Sequence, residues 1–178
     1  MLKLARTLPE LYLPLVRFDR SEDDYEITNP VNISREFRTR TLFLGIPGAF
    51  FPSVLWKILP EYKRYGPEIR EVCQVDKIAV VSVNDPFVLK NFAEEIDGFE
   101  AFDYICDFNS ELSQHLGSCF EFSGFGTRTK PFRMILKDGE ITSWVCEDNW
   151  NFTSLARPYK LMREYSPYTP YPASVYPD

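Results

Sequence analysis

The sequence predicts an α/β fold: a mixed central sheet with helices on both faces, in a single domain. Three observations carry this. The runs 41–46 and 78–83 are almost continuously apolar, as in strands buried on both faces, and a helical pattern follows each. Asp138-Gly139, set between two further apolar runs, marks a tight antiparallel hairpin. Strand and helix patterns alternate along most of the chain, and such an order is stable only with helices packed over a sheet.

Taken in order, residues 11–18 alternate loosely and are predicted as an edge strand, where Pro9 and Pro14 are tolerated. Ser21-Glu22-Asp23-Asp24 reads as a solvated turn. Residues 27–37 suit a short strand and a loop, and 41–46 a buried strand. Ser53 is the candidate N-cap of a helix with Val54, Leu55, Ile58, Leu59 and Tyr62 on one stripe, which Pro60 should kink or end. A second helical piece covers 67–72, and 78–83 is the clearest strand. Asn84-Asp85-Pro86 then opens a helix, with Asn84 as cap and proline at the first helical position. Its inward residues are Phe87, Val88, Phe92 and Ile96, and it ends near Asp97-Gly98. A third strand at 102–106 and a short helix at 110–116, stopped by Gly117, come next. Residues 123–128 read as a flexible loop, 132–137 and 141–145 as the hairpin, and 155–165 as a last helix interrupted early by Pro158. An αβ order closed by a hairpin and a helix is the thioredoxin-like arrangement.

Composition narrows the function. A chain of 178 residues fits one ordinary domain with a sizeable core. Its net charge of −6 argues against a general nucleic-acid binder, which shows a basic footprint. No apolar run approaches the roughly 20 residues that span a bilayer. The four cysteines, at 73, 106, 119 and 146, form no Cys-x-x-Cys pair, and His115 is the only histidine, so no metal site is expected. Free thiols in a reducing compartment are the default, and no cofactor is indicated. The basic start, with Lys3, Arg6 and Arg17 against Glu10, reads either as an uncleaved mitochondrial address or as a plain N-terminal arm.

The loop Gly45-Ile46-Pro47-Gly48-Ala49-Phe50-Phe51-Pro52-Ser53-Val54 leaves the carboxyl end of a strand and feeds a helix, where α/β proteins place chemistry and where backbone N–H groups favour an anion or a thiolate. Together with the turn Ser82-Val83-Asn84-Asp85-Pro86-Phe87, with Phe125-Gly126-Thr127-Arg128, with the hairpin over 132–139 and with Ser154-Leu155-Ala156, it resembles the peroxiredoxins, specifically their atypical two-cysteine subclass. The similarity runs over about residues 7–165, leaving 1–6 as an N-terminal arm and 166–178 as a Pro/Tyr-rich tail. In that family the loop reads Pro-Gly-Ala-Phe-Thr-Pro-x-Cys, with the cysteine as peroxidatic nucleophile and a threonine and a distant arginine orienting the peroxide. The resemblance implies that Pro47 and Arg128 match the family, that Phe51 replaces the threonine and that Val54 replaces the cysteine. The resolving cysteine of the subclass falls near Thr153.

Valine offers no lone pair to a peroxide oxygen, so this reading expects no peroxidase and no enzyme, only a vestigial site. Cys106, which ends a predicted strand, is the residue through which residual thiol oxidoreductase activity would run; the alternative is a buried, inert thiol. Arg128 holds either a ligand or a structural contact. The tail, with Tyr168, Tyr171 and Tyr176, either wraps on its own domain or meets a partner. The expected function is a structural or interaction subunit of a larger protein assembly, mitochondrial on the first reading of the basic start and otherwise cytoplasmic.

Overall fold

The computed structural model describes residues 6–96, 100–148, 152, 155 and 157–165. Its centre is β5 (Thr41–Gly45), buried at every position. It pairs in parallel with β6 (Lys77–Ser82), and β6 in parallel with β7 (Asp103–Cys106). On the other side β5 pairs antiparallel with β10 (Phe132–Lys137), which turns through Asp138-Gly139 into β11 (Glu140–Cys146). Both turn residues have positive φ, 52° and 82°, as the hairpin signal requires. Beyond β7 lie β2 (Leu15–Asp19) and β3 (Asp24–Ile27), which complete a seven-stranded mixed sheet in the order β11-β10-β5-β6-β7-β2-β3.

Alternate side chains of these strands enter two cores. Leu42, Leu44, Val80 and Tyr104 pack with α2 (Leu59–Arg64), α3 (Gly66–Cys73), α4 (Pro86–Ile96) and α6 (Pro158–Tyr165). Phe43, Ala79, Val81 and Ile105 pack on the opposite face with α1 (Ile33–Glu36), α5 (Glu111–His115) and the N-terminal segment that carries β1 (Tyr12–Leu13). The thioredoxin-like α/β expectation holds.

Several local expectations are corrected. Residues 11–18 are no edge strand: β2 lies between β7 and β3, and β3 takes the edge. Pro14 falls in the break between β1 and β2, where its carbonyl accepts the Cys106 N–H. The segment around Val31 gives β4 (Val31–Asn32) and then α1, capped by the Asn32 carboxamide on the Ser34 and Arg35 N–H groups. Ser53 is not a cap; it is already helical and its side chain caps nothing. The helix it belongs to carries a π turn, Val54–Ile58, in which the Leu59 N–H reaches the Val54 carbonyl. That shift of register puts Pro60 in the first turn of α2, where no N–H is required, so the helix continues to Arg64. At α4 the cap is Asp85, whose carboxylate accepts the Phe87 and Val88 N–H groups. Phe87 consequently faces outward, 76% exposed, while Leu89, Phe92 and Ala93 are buried. The predicted loop at 123–128 is instead the turn of a hairpin, β8 (Cys119–Phe122) against β9 (Gly126–Thr129). Asp97 and Gly98 lie outside the described residues.

One charge is buried in the first core. Arg133 on β10 is 7% exposed and pairs with Glu164 of α6, while its Nε and Nη1 find no partner among the described residues.

Gly45 sits directly across from Phe132, whose ring occupies the space a side chain would need: a β-carbon at Gly45 would come 2.1 Å from Phe132 Cδ1. That ring is itself stacked on Trp144 at 4.9 Å, so it has little room to move. Gly45→Ala is therefore expected to destabilise the protein by about 2 kcal/mol or more, read as a lowered denaturation midpoint at unchanged m-value.

Candidate functional site

β5 delivers the loop at its carboxyl end. The parallel ladder runs on through the Ile46 N–H to the Val81 carbonyl, at 3.0 Å, and Pro47 and Gly48 remain buried. The loop is tied down by Asn84. Its carboxamide oxygen accepts the Ala49 N–H at 2.7 Å and the Ser82 hydroxyl at 2.7 Å, so the loops after β5 and β6 share one acceptor. Phe50 takes a left-handed φ of 55°, sterically costly outside glycine, with its ring edge-on to Phe92 at 5.2 Å.

Phe51, Arg128 and Asn84 converge on the same point: a β-carbon at Gly48 would meet Phe51 Cδ2 at 3.5 Å, Arg128 Nη1 at 3.6 Å and Asn84 Oδ1 at 3.7 Å. The structure thus brings Pro47, Phe51 and Arg128 to one end of the sheet. Val54 is fully buried among the first core's residues, and Phe51 lies partly buried over that core, 6.5 Å from the Phe152 ring. Arg128 also donates from Nε to the Phe125 carbonyl at 2.9 Å, a contact within its own hairpin.

That hairpin is positioned by residues the sequence reading did not single out. Asp107, fully buried just after β7, accepts the Leu112 and Ser113 N–H groups and the Ser113 hydroxyl, and so caps α5. The Ser113 hydroxyl in turn meets the Thr129 hydroxyl at 2.8 Å, next to Arg128. Burial pushes the Asp107 carboxyl up, against those three hydrogen bonds, which pull it down. His115, at the other end of α5, contacts the Thr7 carbonyl.

All four thiols of the chain are free. Cys106 is fully buried, and burial, with Asp85 adding to it, pushes its thiol up to about 12. Burial likewise raises Cys73 and Cys146 to about 11 and lifts Cys119 above its ordinary range. A reactive thiolate needs the opposite environment, exposed and electropositive. Cys106, through which residual thiol activity would run, is a buried thiol in this structure. Thr153, Ser154, Ala156 and the tail tyrosines Tyr168, Tyr171 and Tyr176 lie outside the described residues. Among the described residues no three His, Cys, Asp or Glu side chains converge as metal ligands, and no helix is long and apolar enough to cross a membrane.

No protein-family model matches the chain. A protein of Lipomyces kononenkoae described as a peroxisomal peroxiredoxin is 31% identical over 123 residues, which cover 67% of this chain and 73% of that protein. The chain belongs to the peroxiredoxin family. Hybrid peroxiredoxin hyPrx5 of Haemophilus influenzae is 32% identical over 140 residues, and the match spans 77% of the chain but 56% of that relative's length. In fold, the chain matches reduced Prx3 of Vibrio vulnificus, solved in complex with hydrogen peroxide, at a TM-score of 0.78 and 24% identity, over 93% of this chain and 100% of the other. These relatives correct one expectation. The inference that the chain is no enzyme does not stand beside them, because proteins named as peroxiredoxins, which are peroxidases, point to an enzyme.

Two measurements check the site. Asn84→Ala leaves the Ala49 N–H without its acceptor and is expected to cost about 1–2 kcal/mol, with faster amide exchange at Ala49. The buried thiols give an alkaline effect. In the unfolded chain they ionise near pH ~8.5, but in the folded protein only near 11 to 12, so in that window the folded state holds more protons. Stability is full below the lower value and falls as pH rises through the window, which denaturant titrations at stepped alkaline pH should show; Cys106→Ala should flatten the slope.

Proposed function

We propose that this peroxiredoxin serves as an interaction subunit of a larger protein assembly, and that Val54 occupies the peroxidatic position of its loop. On this reading the loop is held by Asn84, and the side chain at position 54 is a buried hydrocarbon. Phe51 puts a ring where a small hydroxyl would line the site.

One observation carries the interaction role. Of the exposed large apolar side chains, Phe50, Phe87 and Phe108 come from the segments that follow β5, β6 and β7 at their carboxyl ends, and Phe125 from the tip of the hairpin that carries Arg128. Trp56, 74% exposed, stands one turn into the helix leaving the loop. Exposed aromatics grouped at one end of a domain are the composition of a protein-binding surface, since they give contact area at small entropic cost. Phe50 belongs to the loop where the family's chemistry would be done, while Trp56 lies farther along the helix, beside Glu95 and Ile96. In the proposed organisation, residues 7–165 form the folded unit, 1–6 an arm and 166–178 a tail whose Tyr168, Tyr171 and Tyr176 add contact to the partner. The basic start supports a mitochondrial assembly.

Gentle lysis, native separation and mass spectrometry of the comigrating proteins test this. Comigration with one defined large complex is expected, and Phe87→Ala combined with Trp56→Ala should cut it at least about tenfold without unfolding the protein, as loss of interface anchors does. A free monomer or homodimer of the endogenous protein would sink the proposal. Peroxide turnover, assayed on the same material, reads separately whether the chain retains its family's activity.

A further inference from the structure

At the opposite end of the sheet, by the amino ends of β6 and β7, lies a cleft of about 600 Å³. That size suits a small ligand. Four cations line it, Arg20 from the turn after β2, Lys63 from α2, Arg70 from α3 and Lys77 from β6, against two carboxylates, Asp76 and Glu100. Such a balance is unusual in a chain whose net charge is −6.

The cations are not equally engaged. Arg20 is bound to Glu100 through Nε at 2.8 Å and Nη2 at 2.6 Å, an exposed pair that consumes one of the two acids. Lys77 sits 3.6 Å from both Glu36 and Asp103, two carboxylates that it shares with Arg17. Arg70 differs. Its Nη2 donates to the Ala101 carbonyl at 3.0 Å, which fixes the guanidinium but leaves its charge uncompensated, and among the described residues it makes no ion pair. The absence of a side chain at Gly66 makes room for it, since a β-carbon there would come 3.0 Å from Arg70 Nη1. A fixed guanidinium with free donors beside two further cations is the arrangement that recognises a phosphate, through paired N–H donors and charge.

We infer that this cleft binds a small, freely diffusing phosphate or phosphomonoester, with Arg70 as the principal contact; Lys63, whose ammonium donates to the Ile96 carbonyl at 3.3 Å, and the ion-paired Lys77 line the same cleft. Asp76, which makes no ion pair among the described residues, opposes the ligand and sets the affinity below what the cations alone would give. The site is separate from the Val54 loop and does not depend on how that loop works.

Titration of the full chain with inorganic phosphate, followed by calorimetry and amide chemical shifts, tests it. Saturable binding that weakens with added salt is expected, with shifts centred on residues 63, 70 and 77. Arg70→Ala should weaken it about tenfold or more, the effect of one charged hydrogen bond. Asp76→Asn should strengthen it. If Arg70→Ala fails to fold, Lys63→Gln replaces it, with a smaller loss expected. Absence of saturable phosphate binding, or binding unchanged in these variants, would overturn the inference. So would binding to phosphatidylcholine vesicles carrying phosphatidic acid without binding of free phosphate.

Discussion

Double-sided burial of β5 is the constraint from which the rest follows. All five of its residues are buried, so every polar group of its backbone must find a partner inside the protein. It finds them in β6 on one side and β10 on the other. It is therefore, with β7, one of the two strands at which the parallel centre of the sheet meets an antiparallel flank. Gly45 closes that strand and the loop begins one residue later, so the site's position is a direct extension of the most buried segment. The close approach of Phe132 to Gly45 then locks the last turn of the ladder in place before the chain leaves the sheet.

The two ends of the sheet have opposite character. At the carboxyl ends of the parallel strands, loops hold polar groups inward, on Asn84 and Asp107, and present phenylalanine outward. At the amino ends, charged side chains meet in networks around Lys77 and in the cleft at Arg70. The first end is where the family's chemistry is located by resemblance, yet it offers the solvent hydrocarbon. The second offers charge. A protein with this distribution has two different surfaces to use.

Much of this was legible in the sequence, and the misses share a cause. β5, β6 and the β10–β11 hairpin announced themselves because local signals agree there: apolar runs, β-branched residues and an Asp-Gly turn with both φ values positive. β3 and β9 did not, since Asp24–Ile27 and Gly126–Thr129 are short and largely polar, and their strand character comes from pairing with β2 and β8. Asn84 and Asp85 are both good caps in isolation. Only the loop after β5, arriving with an unsatisfied Ala49 N–H, decides that Asn84 faces the loop and Asp85 caps the helix. The family loop, Pro47, Phe51 and Arg128 were found by motif and do meet in space. For Cys106 the sequence left two readings open, and the structure supplies the burial.

The pairing of Arg133 with Glu164 bears on how the fold is completed. Arg133 lies on an interior strand, and the acid that neutralises it comes 31 residues later, on the last helix. A buried charge without its counter-ion is strongly destabilising. The last helix therefore completes the electrostatics of a strand deep in the sheet. A chain that ended before Glu164 would leave the Arg133 guanidinium buried without its acid.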